Sequence, residues 1–206
     1  MRILPSVFYR RADVTQIARE LLGKVLVTQM KGGRCSARIV ETEAYAGVVD
    51  KASHAYGGRF TDRTRVMYED GGVAYVYLCY GIHHLFNVVT HVKGVPHAVL
   101  VRAAEPLEGL SLMSYRSGRP NGDSRVCSGP GKLARAMGIT CELNGTSLLH
   151  ARFHIADDGL RFSDDIIRST PRIGVDYAGD DALLRYRFIV GGSPFLSGSR
   201  TFNEVR

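Results

Sequence analysis

The sequence predicts an α+β fold, and three observations carry that expectation. Segments with the two-residue period of strands recur in pairs joined by glycine turns, as in 25–44 and 74–91. Helical spacing is confined to a few short stretches set between those pairs, and does not follow every strand as a doubly wound sheet requires. The 206 residues, 45% of them apolar, suffice for one core and one domain covering residues 1–206.

The first element is a helix. Asp13-Val-Thr-Gln16 has the spacing of a capping box, and Val14, Ile17, Ala18, Leu21 and Leu22 follow at helical intervals before Gly23 ends the run. Val25 to Thr28 and Cys35 to Ala44 read as a hairpin around Lys31-Gly-Gly-Arg34. The second strand places Ile39, Glu41, Glu43 and Tyr45 on one face, because side chains alternate along a strand. From Gly47 to Gly72 no period holds, and Arg59, Arg63 and Arg65 are interleaved with Thr61 and Thr64. A long irregular loop in a small domain is usually functional, and Arg with Thr suits phosphate contact. A solvated loop is the second reading of the same residues.

Ala74 to Tyr80 and Leu85 to His91 form the next expected hairpin, with three tyrosines between 75 and 80 and Gly81 at its tip. His97 to Arg102 reads as a strand, and Pro106 as the first residue of a helix carrying Leu107, Leu110 and Met113 on one side. Ser128-Gly-Pro-Gly-Lys132 leads into a second helix with Leu133, Ala136 and Met137. Val126 stands where a phosphate-binding P-loop needs its first glycine and Leu133 where it needs Ser or Thr, so nucleoside triphosphate binding is not expected. Short strands are expected over His150 to Ala156, Arg172 to Val175 and Leu183 to Val190.

Composition narrows the class of partner. A formal charge of +7 and a pI near 9.4 suit a polyanion such as nucleic acid, although a merely soluble basic protein has the same balance. No stretch nears the ~18 apolar residues of a membrane span, and the N-terminal residues lack the apolar core of a secretory signal, so no membrane partner and an intracellular location are expected. Cys35, Cys79, Cys127 and Cys141 form no C-x-x-C pair, which argues against a zinc ribbon and a disulfide framework and for reduced, half-buried thiols. The histidines lack ligand spacing on a helix and no cysteine ligand set is present, so no metal is expected.

Glu43 is the residue chosen as catalytic group. A pocket-facing carboxylate can deprotonate a water and offset charge on an oxocarbenium-like sugar. In the bland alternative, Glu41 and Glu43 pair with Arg34 or Arg38 on the sheet surface. Tyr45, His54 and Tyr77 are candidates to sandwich a nucleobase, since every base offers a π-face. Tyr80, at a tip with little core to join, suits a wedge into a duplex. Asn87, on the returning strand, can read a base edge, and Arg102 is expected near the same wall.

Seven segments in order then carry a resemblance: VETEAYAG (40–47), SHAYGGRFTDRTRVMY (53–68), YVYLCYGIHHLFNVV (75–89), VLVRAAEPLEG (99–109), CSGPGKLARAMGI (127–139), RIGVDYAG (172–179) and RFIVGGSPFLS (187–197). The chain resembles the alkyladenine (3-methyladenine) DNA glycosylases, the class with its own mixed α/β fold. The resemblance implies a curved mixed or antiparallel sheet with a protruding β-hairpin that inserts into DNA. It implies Glu43 as general base, Arg102 beside the catalytic water, Tyr45, His54 and Tyr77 as walls of the damaged-base pocket, Asn87 as a filter against guanine, and Tyr80 as the intercalating side chain. Lys132 joins Arg59, Arg63 and Arg65 as phosphate contacts. His83 and His84 depart from the residues common in the family. The implied activity is monofunctional hydrolysis of alkylated or deaminated purines from double-stranded DNA, as a monomer without cofactor, in the cytoplasm or nucleoid of a bacterium or the nucleus of a eukaryote.

Overall fold

The computed structural model describes residues 1–30, 32–199 and 203. In chain order its regular elements are β1 (Arg2–Ile3), α1 (Ser6–Tyr9), α2 (Val14–Leu21), β2 (Val25–Met30), β3 (Gly33–Tyr45), β4 (Ala74–Cys79), β5 (His83–Thr90) and β6 (His97–Glu108). They continue with α3 (Leu110–Ser117), α4 (Pro130–Met137), β7 (Leu149–His150), β8 (Phe153–Asp157), β9 (Ile167–Thr170) and β10 (Arg187–Val190). The strands form one strongly curled antiparallel sheet in the order β1-β8-β2-β3-β6-β5-β4, with β10 added beside β3 and β9 beside β10.

The sheet is organised on β3, whose 13 residues outrun any single partner. One edge pairs with β2 from Gly33 to Arg38 and then with β10 from Glu41 to Glu43, while the other edge pairs with β6 from Ser36 to Tyr45. The β3–β6 register slips where the partner changes. Ile39 faces Ala104 and Glu41 faces Ala103, so Val40 is extra on β3; Thr42 then faces Val101, so Arg102 is extra on β6. Paired bulges of this kind bend a sheet and re-aim side chains, and here they turn Arg102 toward the two glutamates.

Helices close the core on both sides. The Asp13 carboxylate caps α2 by accepting from the N–H groups of Thr15 and Gln16. Its buried Val14, Ile17, Ala18 and Leu21 face β3, and burying the three larger side chains contributes ~1.5–3 kcal/mol each. Pro130 at the first position of α4 and Gly138 after its last turn bound that helix, whose Leu133, Ala134, Ala136 and Met137 are buried against β5 and β6. A Cβ on Gly131 would lie 3.0 Å from His83 Cγ, so glycine there lets α4 brace the tip end of the β4–β5 hairpin this closely.

Three expectations are corrected. Pro106 does not open a helix: it lies within β6 opposite Ala37, and α3 begins after Gly109. β5 pairs only with residues 97–100 of β6, so Pro106 sits where that side of the strand has no partner to miss its N–H. Arg172 to Val175 is not a strand; the strand beside β10 is β9, and Arg172 is instead drawn into the buried ion pair described below. The last strand begins at Arg187, because 176–183 forms a 3-10 turn kinked at Gly179. All four cysteines are free, with Cys35 and Cys127 buried but Cys141 exposed. Among the described residues no helix is long and apolar enough to cross a membrane.

Candidate active site

The two carboxylates predicted to share a face of β3 are both fully buried, and their surroundings divide them. Glu41 Oε1 accepts from Arg102 Nε (2.8 Å), Arg187 Nε (2.8 Å) and Ser197 Oγ (2.7 Å), and its Oε2 accepts from the Ser197 N–H (2.7 Å). Burial opposes its ionisation, but the Arg102 and Arg187 guanidiniums outweigh it and hold the carboxyl below its ordinary range. Four donors from the protein converge on this carboxylate, as befits a structural one.

Glu43 is held more lightly. Its Oε2 accepts from the Tyr45 hydroxyl at 2.8 Å and from Arg102 Nη1 at 3.2 Å, and its Oε1 from the Ile173 N–H at 2.8 Å. Arg102 thus bridges both glutamates; burial works against its charge, yet the two carboxylates more than compensate and raise its pKa. Burial, and next the adjacent Glu43, push the Tyr45 phenol well above its ordinary value, so it remains a donor. Arg34 pairs with Glu108 and Arg38 with Asp158, so neither takes Glu41 or Glu43 onto the sheet surface.

The groups that hold Glu43 line a pocket of about 640 Å³, within the ~300–1,000 Å³ usual for small-ligand sites. Tyr45, Ile173 and Arg102 line it, with the carboxylate buried behind them, and His54, Tyr77 and Asn87 line it as well. The His54 ring meets Tyr77 edge-on at 4.7 Å and its Nδ1 lies 2.9 Å from the Tyr75 hydroxyl. Burial, with the Arg63 and Arg59 charges behind it, lowers the His54 pKa to about 4, so the imidazole is neutral near pH 7. Asn87 Nδ2 donates to the Tyr75 carbonyl at 3.2 Å, which fixes the amide in the wall.

Tyr80 stands at the pocket rim on the tip of the β4–β5 hairpin. The turn closes through the Ile82 N–H donating to the Cys79 carbonyl, with Tyr80 (φ 49°) and Gly81 (φ 74°) both left-handed. That conformation suits glycine and strains a bulky residue. Tyr80 is 92% exposed and Ile82 70%, so the tip presents two apolar side chains to solvent.

The predicted cations separate. Arg59 and Arg63 line the pocket, with Arg63 Cζ 4.7 Å from the Tyr77 ring centroid. Arg65 lies outside it and reaches Asp62 at 3.6 Å. Lys132 lines a second groove of about 690 Å³ with His83, His84, Arg116, Arg119 and Arg135. His84 Nδ1 lies 3.3 Å from Cys141 Sγ. Among the described residues no group of three or more His, Cys, Asp or Glu is placed to hold a metal ion.

Residue-by-residue reading missed the supports. Arg172 makes a buried bidentate pair with Asp50 (2.5 and 2.9 Å), lies 4.9 Å over the Tyr45 ring and donates to the Ala44 carbonyl. It fixes the ring that hydrogen-bonds Glu43. Arg187, Ser197 and Ile173 are likewise absent from the predicted set, and the only sequence signal for them is that they fall in the last two of the seven resembling segments.

Comparison with known proteins places the chain in a family. The profile of the methylpurine-DNA glycosylase (MPG) family matches residues 7–194. A protein of Methanocella arvoryzae is 48% identical over 96% of both chains, one of Chlamydia abortus 47% over 91% of this chain and 98% of its own, and one of Desulfitobacterium hafniense 44% over 96% and 99%. Each is provisionally named a 3-methyladenine DNA glycosylase. The ordered match across almost the whole length, on a chain whose buried glutamate lies beneath an aromatic pocket, assigns it: this protein belongs to the methylpurine-DNA glycosylase family of DNA glycosylases.

Proposed function

We propose that this glycosylase flips alkylated or deaminated purines out of duplex DNA and hydrolyses their N-glycosidic bonds, as a monomer and without a cofactor, leaving an abasic site that initiates base excision repair. The observation that carries the reading is Glu43, buried behind Tyr45, Arg102 and Ile173 at the floor of the aromatic pocket. The flipped base stacks among Tyr45, His54 and Tyr77, and Asn87 tests its edge. Tyr80 fills the space it leaves in the duplex, consistent with a strained, exposed aromatic at a hairpin tip. Of the four cations expected at phosphates, Arg59, Arg65 and Lys132 contact the backbone, whereas Arg63 lies against the Tyr77 ring.

In the reaction, the bond from C1′ to the purine nitrogen breaks with its electron pair going to the base. A water enters at Glu43 Oε2, where the Arg102 contact is the longest of the three, and adds its oxygen to C1′ while its proton passes to Glu43. The ionised Glu43 also offsets positive charge on the sugar as the bond breaks. An alkylpurine cation leaves as a neutral base; neutral hypoxanthine or ethenoadenine leaves with a negative charge that must be stabilised or protonated.

The test incubates wild type and Glu43→Gln with labelled duplexes carrying one hypoxanthine or ethenoadenine, and with methylated DNA, before alkali. Alkali-dependent breaks with wild type alone, both proteins still shifting the duplex, are expected. Binding by both without breaks on any substrate would reduce the chain to a lesion-binding module. A borohydride-trapped covalent adduct would instead make it a bifunctional lyase.

A further inference from the structure

The mouth of the pocket carries positive charge that the hydrolysis at Glu43 does not use. Arg63 Cζ lies 4.7 Å from the centroid of Tyr77, one of the aromatic walls of the pocket, and its Nη2 lies 3.5 Å from His54 Nε2. Arg59 lines the same pocket. Among the described residues neither Arg59 nor Arg63 has a carboxylate within ion-pair distance, whereas Arg102 is matched by Glu41 and Glu43 and Arg172 by Asp50. The pocket mouth is therefore electropositive in excess of its own counter-charges.

We propose that Arg63 is a specificity-determining residue, whose guanidinium beside the base site favours purines that depart as anions over alkylpurines that are cations before the bond breaks. This rests on the glycosylase reading above and sharpens its substrate class. When hypoxanthine is released, both electrons of the C1′–N9 bond go to N9 and the ring carries a negative charge until it takes a proton from solvent. A guanidinium near that ring stabilises the charge as it develops. A 7-methylguanine or 3-methyladenine residue begins positive and leaves neutral, so the same guanidinium repels the bound substrate and gains nothing as the bond breaks. In the free protein Arg63 is exposed and water screens it. A bound duplex displaces that water and strengthens the interaction.

The experiment measures single-turnover excision by wild type, Arg63→Gln and Arg63→Lys, on a duplex with one hypoxanthine and on the same duplex methylated to carry cationic 7-methylguanine and 3-methyladenine. Arg63→Gln is expected to slow hypoxanthine release about tenfold or more beyond any loss on the methylated bases, with Arg63→Lys closer to wild type in the ratio of the two rates. An equal loss on both duplexes would overturn the proposal and make Arg63 a contact to the DNA backbone; unchanged rates on both would overturn it outright. Wild type inactive on both would overturn the glycosylase reading itself, and the proposal with it.

Discussion

Replacing Glu41 by Gln separates the carboxylate proposed as structural from the one proposed as catalytic. Glu41, Glu43, Arg102 and Arg187 form a buried cluster of two negative and two positive charges, so the substitution leaves one uncompensated positive charge in the core. A glutamine oxygen at the Oε1 position keeps the Arg102, Arg187 and Ser197 hydroxyl contacts, but its NH₂ then faces the Ser197 N–H, donor against donor. The reverse orientation sets the NH₂ against both guanidiniums. Breaking a buried pair in this way costs ~3–5 kcal/mol, a large share of the ~5–15 kcal/mol typical of a domain. At ~2–4 °C per kcal/mol for this size, Tm falls by about 6–20 °C. Urea and thermal unfolding of wild type and Glu41→Gln measure it, and a loss below about 1 kcal/mol would refute the argument. The pH dependence gives a second check. The folded pKa of Glu41 lies below its ordinary value, so its stabilising contribution is complete above about 4.5 and is lost as the pH falls below that. The wild-type urea midpoint should therefore fall on acidification through that range, and the Glu41→Gln midpoint should fall less.

Glu43→Gln should differ in the chemistry rather than in stability. It removes a charge from the same buried cluster, through the 3.2 Å Arg102 contact, and costs stability of the same order, ~3–5 kcal/mol, while excision falls on the order of 10²–10⁴-fold; retained rates would remove Glu43 from the chemistry. Because the His54 pKa is depressed to about 4, its folded imidazole stays neutral down to that pH, and the stability it contributes above its ordinary 6.5 declines as the pH falls from there toward 4. An imidazole resonance of His54 that titrates near 6.5 by NMR would contradict the burial argument. Tyr80→Gly relieves the left-handed backbone of an exposed residue, so Tm should hold or rise while excision from duplex DNA falls. A loss of stability without loss of excision would make Tyr80 a fold residue.

Much of the site was legible in the order of residues alone, where local geometry decides it. The two-residue period of a strand puts Glu41, Glu43 and Tyr45 on one face, and in the structure the Tyr45 hydroxyl reaches Glu43 at 2.8 Å. A tyrosine followed by glycine between two strand-like runs marks a hairpin tip. The Asp13 cap and the Pro130 helix start were readable because capping needs only neighbours within one turn. What the sequence did not show is what surrounds each glutamate, since Glu41 is held by Arg187 and Ser197, 146 and 156 residues further along. Arg102 reaches both glutamates because a slip in register makes it the extra residue on β6, and single-residue slips leave no mark in a pattern of alternation. Pro106 carries a local helix-start signal, yet strand pairing with Ala37 overrides it. The sequence by itself determined the elements that local signals specify, because period and capping act over a few residues. Only the tertiary structure decided the charge balance around each carboxylate, because pairing, burial and bulges join residues more than a hundred positions apart.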